Sequence, residues 1–136
     1  LTGGAMDGPF LPPTIYDGVK PGDRLATEEI FGPILSVIEV ASDDEAVAVA
    51  NATDYGLTAS VFTANARKAI RAARDIRAGT VTVNCYGEGD IATPFGGYKL
   101  SGFGGRDNGV HAHDQYTELK TIWIDLSDPA DQDAVA

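Results

Sequence analysis

The sequence predicts an α/β fold, a mostly parallel sheet with flanking helices. Three observations point there. Short runs of β-branched and apolar residues alternate with stretches whose apolar residues recur at helical spacing. The links between them are short, as in strand–helix–strand units packed on one sheet. The composition, 43% hydrophobic with 16 glycines in 136 residues, suits one globular domain with its own core and many turns.

The elements follow in order. "TIYDGVKPGDRL" (14–25) reads as a short strand and then a turn at Pro21, Gly22 and Asp23. The apolar run from Ile34 to Val40 predicts a second strand. In "SDDEAVAVANAT" Ser42 is the expected N-cap of a helix, with Glu45 three residues on as its capping-box partner and Ala46, Val49 and Ala50 as the apolar face. "LTASVFT" (57–63) predicts a strand after Tyr55-Gly56. "ANARKAIRAARDIRAG" is the clearest helix, with Ala66, Ala69, Ile70, Ala73 and Ile76 on one side and Gly79 expected as its C′ residue. "TVTVN" (80–84) follows as a strand. Residues 86–109 read as one long glycine-rich loop, where length without structure points to function or disorder, and Phe95, Tyr98 and Phe103 argue against disorder. "VHAHDQY" predicts a short helix and residues 117–126 a last strand, with Leu119, Ile122, Trp123, Ile124 and Leu126 apolar; residues 127–136 read as a disordered tail.

Composition excludes several functions. A net charge of −10 argues against sequence-independent nucleic-acid binding, which needs clustered Lys and Arg. No apolar run approaches the roughly 18 residues of a membrane-spanning helix, so no membrane partner is expected. The start "LTGGAMDGPF" has neither a basic region nor an apolar core of a signal peptide, and a single Cys points to the cytoplasm. The chain opens on Leu rather than Met and reads as a piece of a longer protein.

The motifs narrow the chemistry. Gly102 and Gly104 begin a G-x-G-x-x-G pattern, but Asp107 stands at its last position, and no Gly-Lys-Ser/Thr follows any glycine run. Cys85 sits at a strand end with no His near it in sequence, and reads as a buried or half-buried thiol. His111 and His113 would point about 200° apart on a helix, and no metal site is expected. Arg67, Arg71, Arg74 and Arg77 read as the solvent edge of an amphipathic helix. Glu88 and Asp90 form either a polar turn or a negative crevice mouth suited to an amine-bearing ligand.

Five stretches, in order, carry a family resemblance: "EEIFGP" (28–33), "YGLTASVFT" (55–63), "AGTVTVNCY" (78–86), "PFGGYKLSGFG" (94–104) and "YTELKTIWI" (116–124). Together they resemble the C-terminal portion of the NAD(P)-dependent aldehyde dehydrogenases. The 86–92 loop and the ending are most similar to bacterial γ-glutamyl-γ-aminobutyraldehyde dehydrogenases of putrescine breakdown. The resemblance implies that residues 1–116 are the C-terminal half of a catalytic domain and that 117–126 form an oligomerisation strand joining a homo-oligomer, a dimer or tetramer. It implies that Glu29 accepts hydrogen bonds from the nicotinamide ribose, a diol that two carboxylate oxygens can grip. Phe31 would pack beside the nicotinamide ring, while Glu28, without such a role, stays solvated. Phe95 would line the aldehyde tunnel, with Glu88 and Asp90 in the loop that sets substrate preference. The implied cofactor is NAD or NADP, and the implied substrate a small amino-aldehyde. No catalytic residue falls in this chain: the family's nucleophilic Cys, base Glu and oxyanion Asn lie upstream, and Cys85 stands at a non-catalytic position. The chain alone is therefore expected to be inactive. The rival expectation is a stand-alone interaction or oligomerisation module.

Overall fold

In the computed structural model, residues 3–87 and 89–126 are described. Glu88 and the tail expected at 127–136 lie outside them.

The best-defined unit is a βαβ crossover. β4 (Thr58–Val61) runs into α3 (Ala66–Asp75), which returns the chain to β5 (Thr80–Val83) parallel to β4. Thr58 pairs with Thr80 and Val61 with Val83, so the two strands are in register along their whole length. Asn84, at φ 56°, closes the carboxyl end: its side-chain oxygen accepts from the Thr63 amide (2.8 Å) and its amide donates to the Thr63 carbonyl (3.0 Å). Asn tolerates the left-handed region better than most residues, which suits this position.

A second parallel ladder joins β1 (Thr14–Tyr16) to β2 (Ile34–Ser36), with α1 (Arg24–Thr27) between them. The strand expected over Ile34 to Val40 is thus only three residues long, although Val37 still donates to the Tyr16 carbonyl (2.8 Å). α2 (Asp43–Asn51) starts as its capping residues predict. Ser42 Oγ accepts from the Glu45 amide (3.1 Å), while Glu45 reaches back to the Ala41 amide (2.6 Å), one residue before the cap. β3 (Tyr55–Gly56) pairs antiparallel with β6 (Tyr98–Lys99). Val110–Gln115 is a short 3-10 helix.

Several expectations need correction. Among the described residues the sheet is not continuous: it is two parallel ladders and one short antiparallel ladder. Gly79 is not the C′ residue of α3. Ile76 is already extended (ψ 128°), and the helix end is tied off by Asn51, which donates to the Asp75 carbonyl (2.9 Å) and accepts from the Arg77 amide (2.7 Å). On α3 only Ala69 is buried, with Ala72, Ala73 and Ile76 half-buried, whereas Ile70 is 70% exposed. The segment 86–109 is not a loose loop, since it carries β6 and a bridge between Phe95 and Asp107. Among the described residues, 117–126 form no strand, and they are exposed throughout.

The core is thin. Among the described residues the buried apolar side chains are Val19, Ala69 and Ala78, and no large side chain is fully enclosed. A chain of this length has enough residues for a sizeable core. Here α3 packs on the β4–β5 ladder and α2 packs on α3.

Candidate functional site

The turn before β2 splits two neighbouring carboxylates into different states. α1 is a single turn, so Arg24 and Glu28 lie one above the other at i,i+4 spacing. The guanidinium donates to both Glu28 oxygens at 2.8 Å. These bonds, above all, hold the Glu28 carboxyl below the ordinary carboxylate range. Glu28 is therefore not simply solvated, as expected, but ion-paired. Glu29, one residue past the C-cap Glu28, has no hydrogen-bond or ion-pair partner among the described residues. It lines an open cleft of about 490 Å³, together with Tyr55, Gly56, Leu57, Ala78 and Ser101.

Phe31 is 92% exposed and sits at φ 55°. An aromatic residue in the left-handed region costs about 1–3 kcal/mol and persists only where its surroundings hold it. Here the holding is done from the strand side: Ile34 donates to the Gly32 carbonyl (2.7 Å) and Thr14 to the Pro33 carbonyl (2.9 Å). The ring is thereby presented to solvent on a turn fixed to β1.

The glycine-rich segment returns to the amino end of the β4–β5 ladder. The chain leaves the carboxyl end of β5 at Asn84, and by Gly96 it lies back against Gly79, just before the amino end. A Cβ on Gly79 would overlap the Gly96 carbonyl, and one on Gly97 would overlap Ser101. Glycine is required at both by close approach. Ser101 Oγ accepts from the Gly56 amide (3.1 Å), and Leu100 donates to the Asp54 carbonyl (3.0 Å). Lys99, at φ 53°, sends its ammonium to the carbonyls of Asn51 (2.9 Å) and Thr53 (2.8 Å) at the end of α2. Phe95, 39% exposed, precedes Gly96 and is bridged to Asp107; it is not among the residues lining the Glu29 cleft.

The remaining sequence-selected residues are placed less tellingly. Asp90 forms a turn of its own, with Oδ1 accepting from the Ala92 amide (2.7 Å) and its carbonyl from Thr93 (2.9 Å). Its companion Glu88 lies outside the described residues. Cys85 is half-buried. The described residues contain no group of three or more His, Cys, Asp or Glu able to hold a metal, and His111 stands 4.0 Å from Asp114. The arginine edge of α3 is answered by acids: Arg71 pairs with Asp44 on α2 and Arg74 with its neighbour Asp75. No described helix is long and apolar enough to cross a membrane. Sequence reading missed Asn51 and Lys99, which act across the fold, and Gln115, which acts on the segment just before it; no motif pointed to any of them.

Residues 1–122 match the aldehyde dehydrogenase family. The chain belongs to that family. It is 65% identical over 126 residues to aminoacetaldehyde dehydrogenase of Pseudomonas aeruginosa, covering 92% of this chain and 25% of that protein. It is 50% identical over 114 residues to the NADP/NAD-dependent aldehyde dehydrogenase PuuC of Escherichia coli, covering 84% of this chain and 23% of that one. Among solved structures, indole-3-acetaldehyde dehydrogenase with NAD+ matches at a TM-score of 0.80 and 55% identity, over 86% of this chain and 23% of that chain. The chain thus spans about a quarter of the length of the curated relatives it matches.

Proposed function

We propose that this chain is the C-terminal part of an NAD(P)-dependent aldehyde dehydrogenase that oxidises an amino-aldehyde to its acid. The observation that carries the reading is the pair at 28–29: Glu28 is ion-paired to Arg24, while Glu29 lines the cleft with no partner. An unpaired carboxylate fits the two hydroxyls of a ribose, and the exposed Phe31 ring fits the flat face of a nicotinamide. These residues suit one end of the dinucleotide, and the missing glycine fingerprint leaves the rest of it to other parts of the complete enzyme. NAD(P)+ supplies the hydride acceptor when bound. Glu29 orients the ribose, Phe31 walls the ring, and Phe95 lines the aldehyde path. Glu88 and Asp90 favour a substrate bearing an ammonium group.

The amino-aldehyde assignment draws support from the similarity to aminoacetaldehyde dehydrogenase, and the aldehydes of putrescine breakdown are candidate substrates. No nucleophile is assigned here, because half-buried Cys85 has no described base beside it. The chain alone is therefore expected to reduce no NAD+. A cytoplasmic location and a homo-oligomer joined through residues 117–126 go with this reading.

The test is a pair of isosteric substitutions in the complete enzyme. Glu29→Gln should weaken NAD(P)+ binding about tenfold or more, as expected for losing charge-assisted bonds to a diol. Glu28→Gln should leave binding within about twofold, since that carboxylate faces Arg24. Equal effects from both substitutions, or none from Glu29→Gln, would remove the reading.

A further inference from the structure

Residue Gln115 has no role in the function proposed above, yet it makes the most specific contact in the glycine-rich segment. Its Nε2 donates to the Arg106 carbonyl (2.6 Å) and to Asp107 Oδ1 (2.9 Å). Its side chain also lies across Gly105, where an added Cβ would come within 2.6 Å of Oε1. One amide therefore holds two consecutive residues, Arg106 and Asp107, and Gly105 is what lets it approach. Asp107 in turn exchanges both backbone hydrogen bonds with Phe95, amide to carbonyl at 2.7 and 2.6 Å. The path from Gln115 to Phe95 runs through one side-chain bond and one paired backbone bridge.

We propose that Gln115 is a positioning residue for Phe95, and through it sets how tightly the enzyme holds the aldehyde. The proposal rests on the reading that Phe95 lines the aldehyde path. The physical argument is one of anchorage. Phe95 sits between two glycine-rich stretches, and its backbone is paired to a single residue. Gln115 lies at the end of the 3-10 helix Val110–Gln115, whose start is tied back where Gly109 donates to the Ile91 carbonyl (2.7 Å). A side chain on that helix thus fixes Asp107 from outside the bridge. Without it the Asp107 side chain loses its anchor, and the bridge keeps its own two bonds and the Gly109–Ile91 bond beyond it.

The test is made in the complete enzyme with Gln115→Glu, which keeps the volume, removes both donated bonds and sets a carboxylate against that of Asp107. The aldehyde KM should rise roughly three- to tenfold, the effect of one or two lost hydrogen bonds. The coenzyme KM and kcat should stay within about twofold, because neither bond faces the Glu29 cleft. In a Phe95→Ala background the same substitution should change the aldehyde KM no further, since the two residues form one unit. Equal fold-effects in both backgrounds, or a coenzyme KM that moves in parallel, would overturn the proposal. Hydrogen exchange separates it from the reading beneath it. Gln115→Glu should speed exchange about tenfold at the Phe95 and Asp107 amides, with the β4–β5 amides unchanged. Unchanged exchange at those two amides refutes the positioning role, whereas Phe95→Ala with an unaltered aldehyde KM refutes the tunnel reading.

Discussion

The glycine-rich segment 94–109 is laced to the body of the chain through its backbone, whereas the apolar segment 117–126 leaves Leu119, Ile122, Trp123 and Ile124 all exposed. The first succeeds because glycine lets main chain approach main chain: Gly96 rests on Gly79, and Gly97 on Ser101. The second has the residues of a strand and, among the described residues, no strand beside it. Trp123 is 92% exposed and Leu119 105%. Hydrophobic content thus does not decide which segment is held within this chain. A strand needs an edge to pair with, and an apolar face needs a surface to cover it. Under the proposed function, that edge belongs to a second copy.

Gly79→Ala gives the largest expected effect, because its Cβ would overlap the Gly96 carbonyl, and backbone cannot move aside as a side chain can. We expect a loss of about 3 kcal/mol or more, read as a fall in the urea midpoint of the chain or as loss of soluble protein. Lys99→Met comes next. It strips two hydrogen bonds from carbonyls at the end of α2, and about 1–2 kcal/mol should be lost by the same measurement. Trp123→Ser should act in the opposite way: no loss of stability in the monomer, but weaker self-association in sedimentation at tens of micromolar. A destabilised monomer would show that the segment is held within the chain after all.

The smallest effect concerns acid. The Glu28 and Asp75 carboxyls lie below their ordinary values of 4.5 and 3.8, chiefly through hydrogen bonds from Arg24 and Arg74. Their contribution is present above those values and fades as pH falls through the depressed ones. Both pairs are exposed, so the contribution is small. Glu28→Gln and Asp75→Asn should lower the urea midpoint slightly at neutral pH and match the parent in strong acid. A gap that widens in acid would reverse the sign.

Local chemistry made part of this legible. The Ser42 cap, the long apolar face of α3 and the β-branched run of β5 each depend on neighbours close in sequence. The family resemblance was legible because five short motifs stand in order. What escaped depends on residues far apart. Gly79 looked like a helix terminator because it follows α3; its reason is Gly96, in the returning segment. Lys99 had no motif, since its carbonyl partners lie at the end of α2. The Arg24–Glu28 ion pair escaped although it is local, because α1 is too short to leave a periodic signal. Ile70 matched the apolar stripe by spacing, yet the surface facing it is open.

The contrast between the two segments is tested most directly by residue-resolved hydrogen exchange on the chain at low and at tens of micromolar concentration. The amides of Phe95, Leu100 and Asp107, each bonded to a carbonyl within the chain, should be protected at both concentrations. Amides 119–124 should exchange freely in the dilute sample and become protected in the concentrated one. Protection at 119–124 that does not depend on concentration, or free exchange at Phe95 and Asp107, would contradict the account.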